Sequence, residues 1–243
     1  MAKYGLVGKN IGYSFSKDFF TVKFEREKRA DSYHNFDIES IESFEEIIQK
    51  HSDLKGLNIT IPFKESILPF LDKIDKEAKA IGAVNTVKIN SSGKLNGYNT
   101  DHYGFARALT DVLPLKEKTA LILGTGGASK AIRYVLQTMK FDIKMVSRTK
   151  ADNTVTYDEL NQEMIANHFL IVNTTPLGTF PNVENFPNIP YHYLTSDHFL
   201  FDLTYNPRTT TFMKLGAATG ASVCNGLKML EHQAKKSWKI WRK

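Results

Sequence analysis

Cysteine is nearly absent from this sequence. Cys224 is the only one, which excludes an internal disulfide and any metal cluster held by several cysteines. Long apolar runs are missing too: stretches such as Thr119–Leu123 fall far short of the ~20 residues a membrane-spanning helix needs. No charged-then-apolar leader stands at Met1-Ala-Lys-Tyr-Gly5, so no cleaved signal and a cytoplasmic location are expected. Nor is there an internal repeat or a low-complexity linker. What is present is ordinary for a globular chain: 42% hydrophobic and 24% charged over 243 residues, enough for one large domain or two modest ones.

The net charge of +6 raises the question of nucleic acid. Much of the excess lies in Lys235, Lys236, Lys239, Arg242 and Lys243, where Leu227, Leu230, Ala234, Trp238 and Trp241 recur at helical spacing. The cations then occupy the solvated face of an amphipathic helix. No helix-turn-helix, zinc-finger or aromatic RNA-binding signature accompanies them, so neither nucleic acid nor membrane is expected as a partner.

Strand-like and helix-like stretches alternate through the first hundred residues. Lys3–Gly8, Tyr33–Asp37 and Leu54–Ile61 read as strands, the last closed by Pro62. Phe19–Lys28 and Ser40–His51 read as helices, the second capped by Ser40. Ala83–Ile89, a turn at Asn90–Gly93 and Leu95–Tyr98 form a hairpin. Thr100 or Asp101 can cap a helix running to about Leu113, with Pro114 after its stop. Thr119–Leu123, Asp142–Val146, Phe169–Asn173, Phe199–Leu203 and Ala221–Cys224 then read as parallel strands, and Pro176–Pro190 as a loop. The pattern predicts an α/β protein.

Between the strand at Thr119–Leu123 and the next helix lies Gly124-Thr-Gly-Gly-Ala-Ser129. In a dinucleotide-binding turn, Gly124 would permit the sharp bend, and Gly126 would let backbone approach a pyrophosphate at the helix N-terminus. Ser129 stands where Gly or Ala is usual, and a turn that only packs a helix against a sheet remains the alternative. At the end of the following strand, Ser147-Arg148-Thr149-Lys150 carries no acid for the ribose hydroxyls of NAD. It does carry a guanidinium, whose fork suits the 2′-phosphate of NADP. Arg148 lies close to the ~20-residue offset expected from the glycines.

In the first half, polar residues occupy positions where apolar ones would be cheaper. Asn58, Thr60 and Lys64 follow or interrupt one apolar strand, Asn85 another, and Asp101 starts a helix. Ser14 and Ser16 would present a hydroxyl pair on one face if their segment is extended. Singly, each has a structural reading: a helix cap, a satisfied amide, a turn. Together, at the ends of strands in one sheet, they suggest a site.

With these motifs in view, the chain resembles the shikimate dehydrogenase family over nearly its whole length. The resemblance rests on Gly12-Tyr-Ser-Phe-Ser16, Asn58-Ile-Thr-Ile-Pro-Phe-Lys64, Ala83-Val-Asn-Thr86, Asn99-Thr-Asp101, the glycine turn, Asp202-Leu-Thr-Tyr-Asn-Pro207 and Asn225-Gly-Leu-Lys-Met-Leu-Glu-His-Gln233. It implies an N-terminal α/β substrate domain plus a Rossmann-like NADP-binding domain, with the C-terminal helix returning to the substrate domain. The boundaries implied are 1–101 with 226–243, and 102–225. It implies that Lys64 is the acid/base residue, paired with Asp101, and that Ser14 and Ser16 hold a substrate carboxylate. Thr60, Asn85, Tyr205 and Gln233 would contact the rest of the substrate. Gly124, Thr125, Gly126, Gly127, Ala128, Ser147, Arg148 and Thr149 would bind NADP, with Leu203 and Gly226 by the nicotinamide. No metal is implied. The expected reaction is NADP-dependent interconversion of 3-dehydroshikimate and shikimate, by a monomer or homodimer.

Four departures accompany the match. Ser147 replaces the family's usual Asn, Asp152 stands where a second cation often follows, and Gly178-Thr179 replaces Gly-Met. The stretch from Thr149 to Asn173 is too short for the usual helix–strand–helix passage, so its crossover helix is expected to be lost or cut to about Tyr157–Ala166. Lys150 is a candidate to compensate for Asp152. The rival readings are an NAD-using quinate/shikimate dehydrogenase and a non-catalytic nucleotide-binding regulator of the same fold.

Overall fold

The computed structural model describes residues 1–12, 14–112 and 118–243. The chain divides into two compact units, Met1–Tyr103 with Gln233–Lys243, and Gly104–His232.

The first unit runs β1 (Lys3–Gly8), α1 (Phe15–Arg26), β2 (Ser32–Asp37), α2 (Phe44–Lys50), β3 (Leu54–Ile59), β4 (Lys73–Ile74), α3 (Lys76–Ile81), β5 (Thr86–Ile89) and β6 (Leu95–Tyr98), then enters α4 (Asp101–Val112). Its six strands form one sheet in the order β2-β1-β3-β5-β6-β4. β1 is parallel to β2 and β3, while β5 is antiparallel to β3 and β6. Successive strand residues face opposite sides of a sheet, and β1 uses both. Tyr4 and Leu6 join Phe20 and Phe24 in one cluster, whereas Val7 joins Phe44, Leu57 and Ile67 in another.

The second unit contains β7 (Thr119–Leu123), α5 (Gly127–Thr138), β8 (Asp142–Ser147), β9 (Thr154–Thr156), α6 (Gln162–Ala166), β10 (Leu170–Asn173), β11 (Phe199–Asp202), α7 (Thr211–Ala218) and β12 (Ser222–Cys224). Its sheet is wholly parallel, in the order β12-β11-β10-β7-β8-β9. Chain order reverses between β7 and β10, which is the doubly wound Rossmann arrangement. Both faces of β7 are covered: Ala120 and Ile122 enter one core cluster, Leu121 and Leu123 the other. That double burial explains why the strand reads as a continuous apolar run.

The last helix, α8 (Leu227–Trp241), brings its C-terminal half to the first unit. Trp238 and Trp241 are buried with Tyr4, Phe20 and Phe24, and Trp241 Nε1 donates to the Val87 carbonyl at 3.0 Å. The indole lies so close to Gly56 that a Cβ there would be 2.3 Å from the ring. Lys235, Lys239, Arg242 and Lys243 are exposed as the helical spacing predicts, while Lys236 is half-buried, 4.8 Å above the Tyr103 ring. Met229, rather than Leu227 or Leu230, supplies the buried contact of the first turns.

Several local expectations are corrected. α1 begins at Phe15, four residues earlier than its apolar spacing suggests, because Ser14 caps it by accepting from Lys17 N at 3.2 Å. Ser40 caps no helix with its side chain; its hydroxyl donates to Glu42 instead. α4 is capped by neither Thr100 nor Asp101 but by Asn99, whose Oδ1 accepts from Asp101 N at 3.0 Å and His102 N at 3.3 Å. Asn85 lies just before β5 rather than within it. The crossover after β8 is indeed cut, to β9, a single 3₁₀ turn at Tyr157–Glu159 and the five-residue α6. The expected helix stop at Leu113 and Pro114 lies outside the described residues, as does Tyr13 of the serine motif. No helix among the described residues is long and apolar enough to cross a membrane.

Candidate active site

Lys64 follows β3 on a turn anchored by two core residues, Phe63 at 5% exposure and Ile67 at 0%. The Lys64 carbonyl accepts from Val84 N at 2.8 Å, which ties this turn to the segment carrying Asn85. Lys64 Nζ lies 2.6 Å from Asp101 Oδ2, with side chains only 14% and 8% exposed. The other carboxylate oxygen, Oδ1, accepts from Asn85 Nδ2 at 2.8 Å. Because Asn99 takes over the capping of α4, the Asp101 carboxylate is left for this pairing. Desolvation largely offsets Coulomb attraction in a pair this buried, so stability alone does not account for it. An ammonium held beside a fixed carboxylate can stabilise a developing oxyanion and deliver a proton.

Behind that pair runs a connected set of buried polar side chains. Asn85 Oδ1 accepts from Thr100 N at 2.6 Å and from Thr100 Oγ1 at 3.1 Å. Thr100 Oγ1 also lies 3.2 Å from Gln233 Oε1, so its one proton is shared between two amide oxygens. Ser237, fully buried one turn beyond Gln233, lies 2.8 Å from Thr86 Oγ1 and 3.1 Å from Thr100 Oγ1, and accepts from Asn58 Nδ2 at 3.1 Å. Asn58 Oδ1 accepts from the Tyr33 hydroxyl at 2.8 Å. Burial pushes the Tyr33 hydroxyl far above the usual phenol range, and a hydrogen bond with Ser16 offsets part of that. The expected residues Lys64, Asn85, Asp101, Gln233 and Ser16 are thus joined through Asn58, already prominent as a polar residue in an apolar strand, and through Tyr33, Thr86, Thr100 and Ser237, which carry no role in the site at the level of sequence. The signal for Ser237 was a hydroxyl inside the apolar stripe of α8.

Ser14 and Ser16 are both buried but do not form the expected extended pair. Ser14 is extended, whereas Ser16 already lies in the first turn of α1. Thr60 is half-buried just past β3, its methyl so near Gly8 that a Cβ there would approach to 2.5 Å. Tyr205 belongs to the second unit, after β11.

In that second unit the glycine turn stands at the C-terminal end of β7, at the point where strand order reverses. Gly124, with φ +107°, needs a conformation that only glycine adopts readily, and its N–H donates to the Val146 carbonyl at 2.8 Å. Gly126 is different: a Cβ there would meet nothing within 4 Å, so protein packing does not require its being glycine. Gly126 also gives α5 no side-chain cap, leaving the first N–H groups for another acceptor. Thr125 is exposed, and Gly127 and Ala128 are half-buried. The unusual Ser129 is buried and donates back to the Gly126 carbonyl at 2.6 Å, so its hydroxyl is satisfied without a ligand.

At the end of β8, Ser147 is buried while Arg148 and Thr149 are exposed. Lys150 forms an ion pair with Glu159. Asp202, wholly buried at the end of β11, accepts from Asn173 Nδ2 at 3.0 Å, Thr204 N at 2.9 Å and Thr210 Oγ1 at 2.6 Å. Burial raises its pKa above the usual carboxylate range, and those donors offset only part of the shift. Asp202 holds the Thr204 N–H, and Gly226 fits so closely beside this segment that a Cβ would lie 2.0 Å from the Leu203 carbonyl oxygen. Open space at Gly126, uncapped N–H groups and an exposed Arg148 fit a phosphorylated dinucleotide.

Comparison with known proteins adds four findings. Residues 6–87 match the family model described as shikimate dehydrogenase substrate binding domain. A curated relative, shikimate dehydrogenase (NADP(+)) of Clostridium beijerinckii, is 36% identical over 100% of this chain and 92% of its own. Among solved structures, shikimate dehydrogenase of Aquifex aeolicus has a TM-score of 0.88 at 34% identity, covering 99% of this chain and 92% of that one. Shikimate 5-dehydrogenase of Thermus thermophilus, solved with NADP(H) and shikimate, has a TM-score of 0.87 at 29% identity, covering 99% and 93%.

Proposed function

The chain belongs to the shikimate dehydrogenase family, and on that premise we propose that it reduces 3-dehydroshikimate reversibly to shikimate with NADP(H), using Lys64 as the acid/base residue. The observation that carries this is the Lys64–Asp101–Asn85 arrangement, at 2.6 Å and 2.8 Å. The reduced nicotinamide supplies the hydride. As the ketone becomes an alcohol, the Lys64 ammonium stabilises the negative charge growing on its oxygen and then gives it a proton. Asp101 holds that ammonium in place, and Asn85 holds Asp101. Gln233, whose side-chain oxygen faces Thr100 Oγ1 at 3.2 Å, offers its amide nitrogen to a substrate oxygen. Ser14, Ser16, Thr60 and Tyr205 contact the remaining polar groups, the serines taking the carboxylate. We assign substrate binding to the first unit and nucleotide binding to the second. There Gly124–Ala128 would cradle the pyrophosphate, Ser147–Thr149 the adenosine end, and Leu203 and Gly226 the nicotinamide.

The test mixes protein, NADP and shikimate and follows absorbance at the reduced-nicotinamide band. Growth of that band with shikimate supports the reading. No growth with folded protein, or growth only with NAD and quinate, refutes it.

A further inference from the structure

Two cations follow β8, Arg148 and Lys150, yet only one of them is left to a ligand. Lys150 pairs with Glu159 Oε1. The other Glu159 oxygen, Oε2, accepts from Thr156 N at 2.7 Å and Thr156 Oγ1 at 3.3 Å, completing a capping box on the 3₁₀ turn at Tyr157–Glu159. The carboxylate is therefore fixed before it meets the lysine. Holding Lys150 costs the rotamer freedom of one side chain rather than two, which favours this pair over an ordinary surface pair. The placement follows from the shortened crossover. β9 pairs in parallel with β8, Val146 opposite Val155 and Ser147 opposite Thr156. The turn carrying Glu159 thus follows directly on the strand beside the one that Arg148 follows. Arg148 is exposed and makes no hydrogen bond or ion pair among the described residues. Its charge lowers the pKa of Tyr157, on the same turn, against the larger effect of burial.

We propose that Glu159 sets how strongly this protein prefers a 2′-phosphorylated dinucleotide, by occupying Lys150 and leaving Arg148 as the cation that meets the phosphate. The proposal rests on reading Arg148 as the 2′-phosphate ligand. A dianionic phosphate must compete with a carboxylate already anchored by a backbone N–H. The preference is accordingly lower than two free cations would give, and removing Glu159 raises it.

The experiment measures binding of adenosine 2′,5′-bisphosphate and of 5′-AMP by calorimetry, for the unmodified protein and for Glu159→Gln, Lys150→Ala, the double variant and Arg148→Ala. Glu159→Gln is expected to tighten the bisphosphate by about three- to tenfold, the scale of freeing one surface charge to meet another, with 5′-AMP unchanged. Lys150→Ala alone should stay within about twofold of the unmodified protein, because its charge is already committed. In the double variant the gain should vanish. No gain in Glu159→Gln, a gain that survives in the double variant, or a large loss in Lys150→Ala alone overturns the proposal. If Arg148→Ala leaves the bisphosphate affinity intact, the reading of the phosphate site itself fails. A loss there without a gain in Glu159→Gln sinks only the role of Glu159.

Discussion

The Asn85 side-chain oxygen accepts from the Thr100 backbone amide at 2.6 Å, and this contact fixes which way the Asn85 amide points. With its oxygen committed to Thr100, Asn85 presents its nitrogen to Asp101, whose second oxygen then meets Lys64. The orientation of the ammonium is set three residues back, by groups that need not touch a substrate at all.

Replacing Lys64 with Ala should lower kcat by roughly two to four orders of magnitude, the usual loss for a positioned acid/base group. KM should change much less, since the lysine acts chiefly on charge that develops in the transition state. Steady-state kinetics on protein confirmed folded by circular dichroism decide the matter. A variant with near-normal kcat removes Lys64 from the mechanism.

Ser14 has two assigned tasks, and one substitution separates them. Ser14→Ala removes the cap of α1 and should cost ~1 kcal/mol of stability. Ser14→Asp retains a good N-cap but places a negative charge where a carboxylate is expected to bind. Its melting temperature should stay near that of the unmodified protein while KM for shikimate rises about ten- to hundredfold, as like charges at close range require. An unchanged KM in Ser14→Asp would put the carboxylate elsewhere.

The parts of the fold legible in the sequence were those with long, repeated signals. β7 is an apolar run because both its faces are covered, and the turn after it is marked by three glycines. The aromatic spacing of α8 revealed its buried side. Two-residue β4 and three-residue β9 have no period to detect. α3, at six residues, is too short to show a helical period, although Asp75 caps one end and Gly82, at φ +74°, closes the other. Sequence does not distinguish caps among chemically equivalent neighbours: Asn99 and Asp101 can both accept from a helix N-terminus. The candidate site is named by motifs that the resemblance carries, but the hydroxyls packed behind it are not. Thr86 and Ser237 meet across 151 residues of chain, and no local pattern records that contact.

Gly126 distinguishes a packing glycine from a ligand glycine. Its φ of −77° suits alanine and a Cβ would meet no neighbour. Gly126→Ala should therefore keep or slightly raise stability, by up to ~1 kcal/mol through the unfolded state. Affinity for NADP should fall, because the added methyl stands where a pyrophosphate would approach. Calorimetric binding and thermal unfolding of one preparation test both halves. Unchanged affinity would leave Gly126 without a role in the turn.

Asp202 gives a pH-dependent difference with a defined sign. Its native pKa is raised by burial, so the folded state binds its proton more tightly than the unfolded one. That contribution is full below about pH 3.9 and is lost as pH rises through the native value. Asp202→Asn keeps the shape without a titrating charge but must turn a donor toward Thr204 N, Asn173 or Thr210. The variant should be less stable throughout, with its deficit larger at pH 4 than at pH 7. Melting temperatures at the two values measure it, and a deficit that grows with pH would reverse the assignment.

The seating of Trp241 against Gly56 and Val87 has a consequence for synthesis on the ribosome. The first unit starts the chain, yet its core lacks Trp238 and Trp241 until the final turn of α8 has emerged. Residues 104–232 are complete sooner, so the middle of the polypeptide can finish folding before its beginning does. During that interval the aromatic cluster of Tyr4, Phe20, Phe24 and Tyr33 lacks its cover. The first unit therefore closes its core only when the last half of α8 is available, however early its own strands are made.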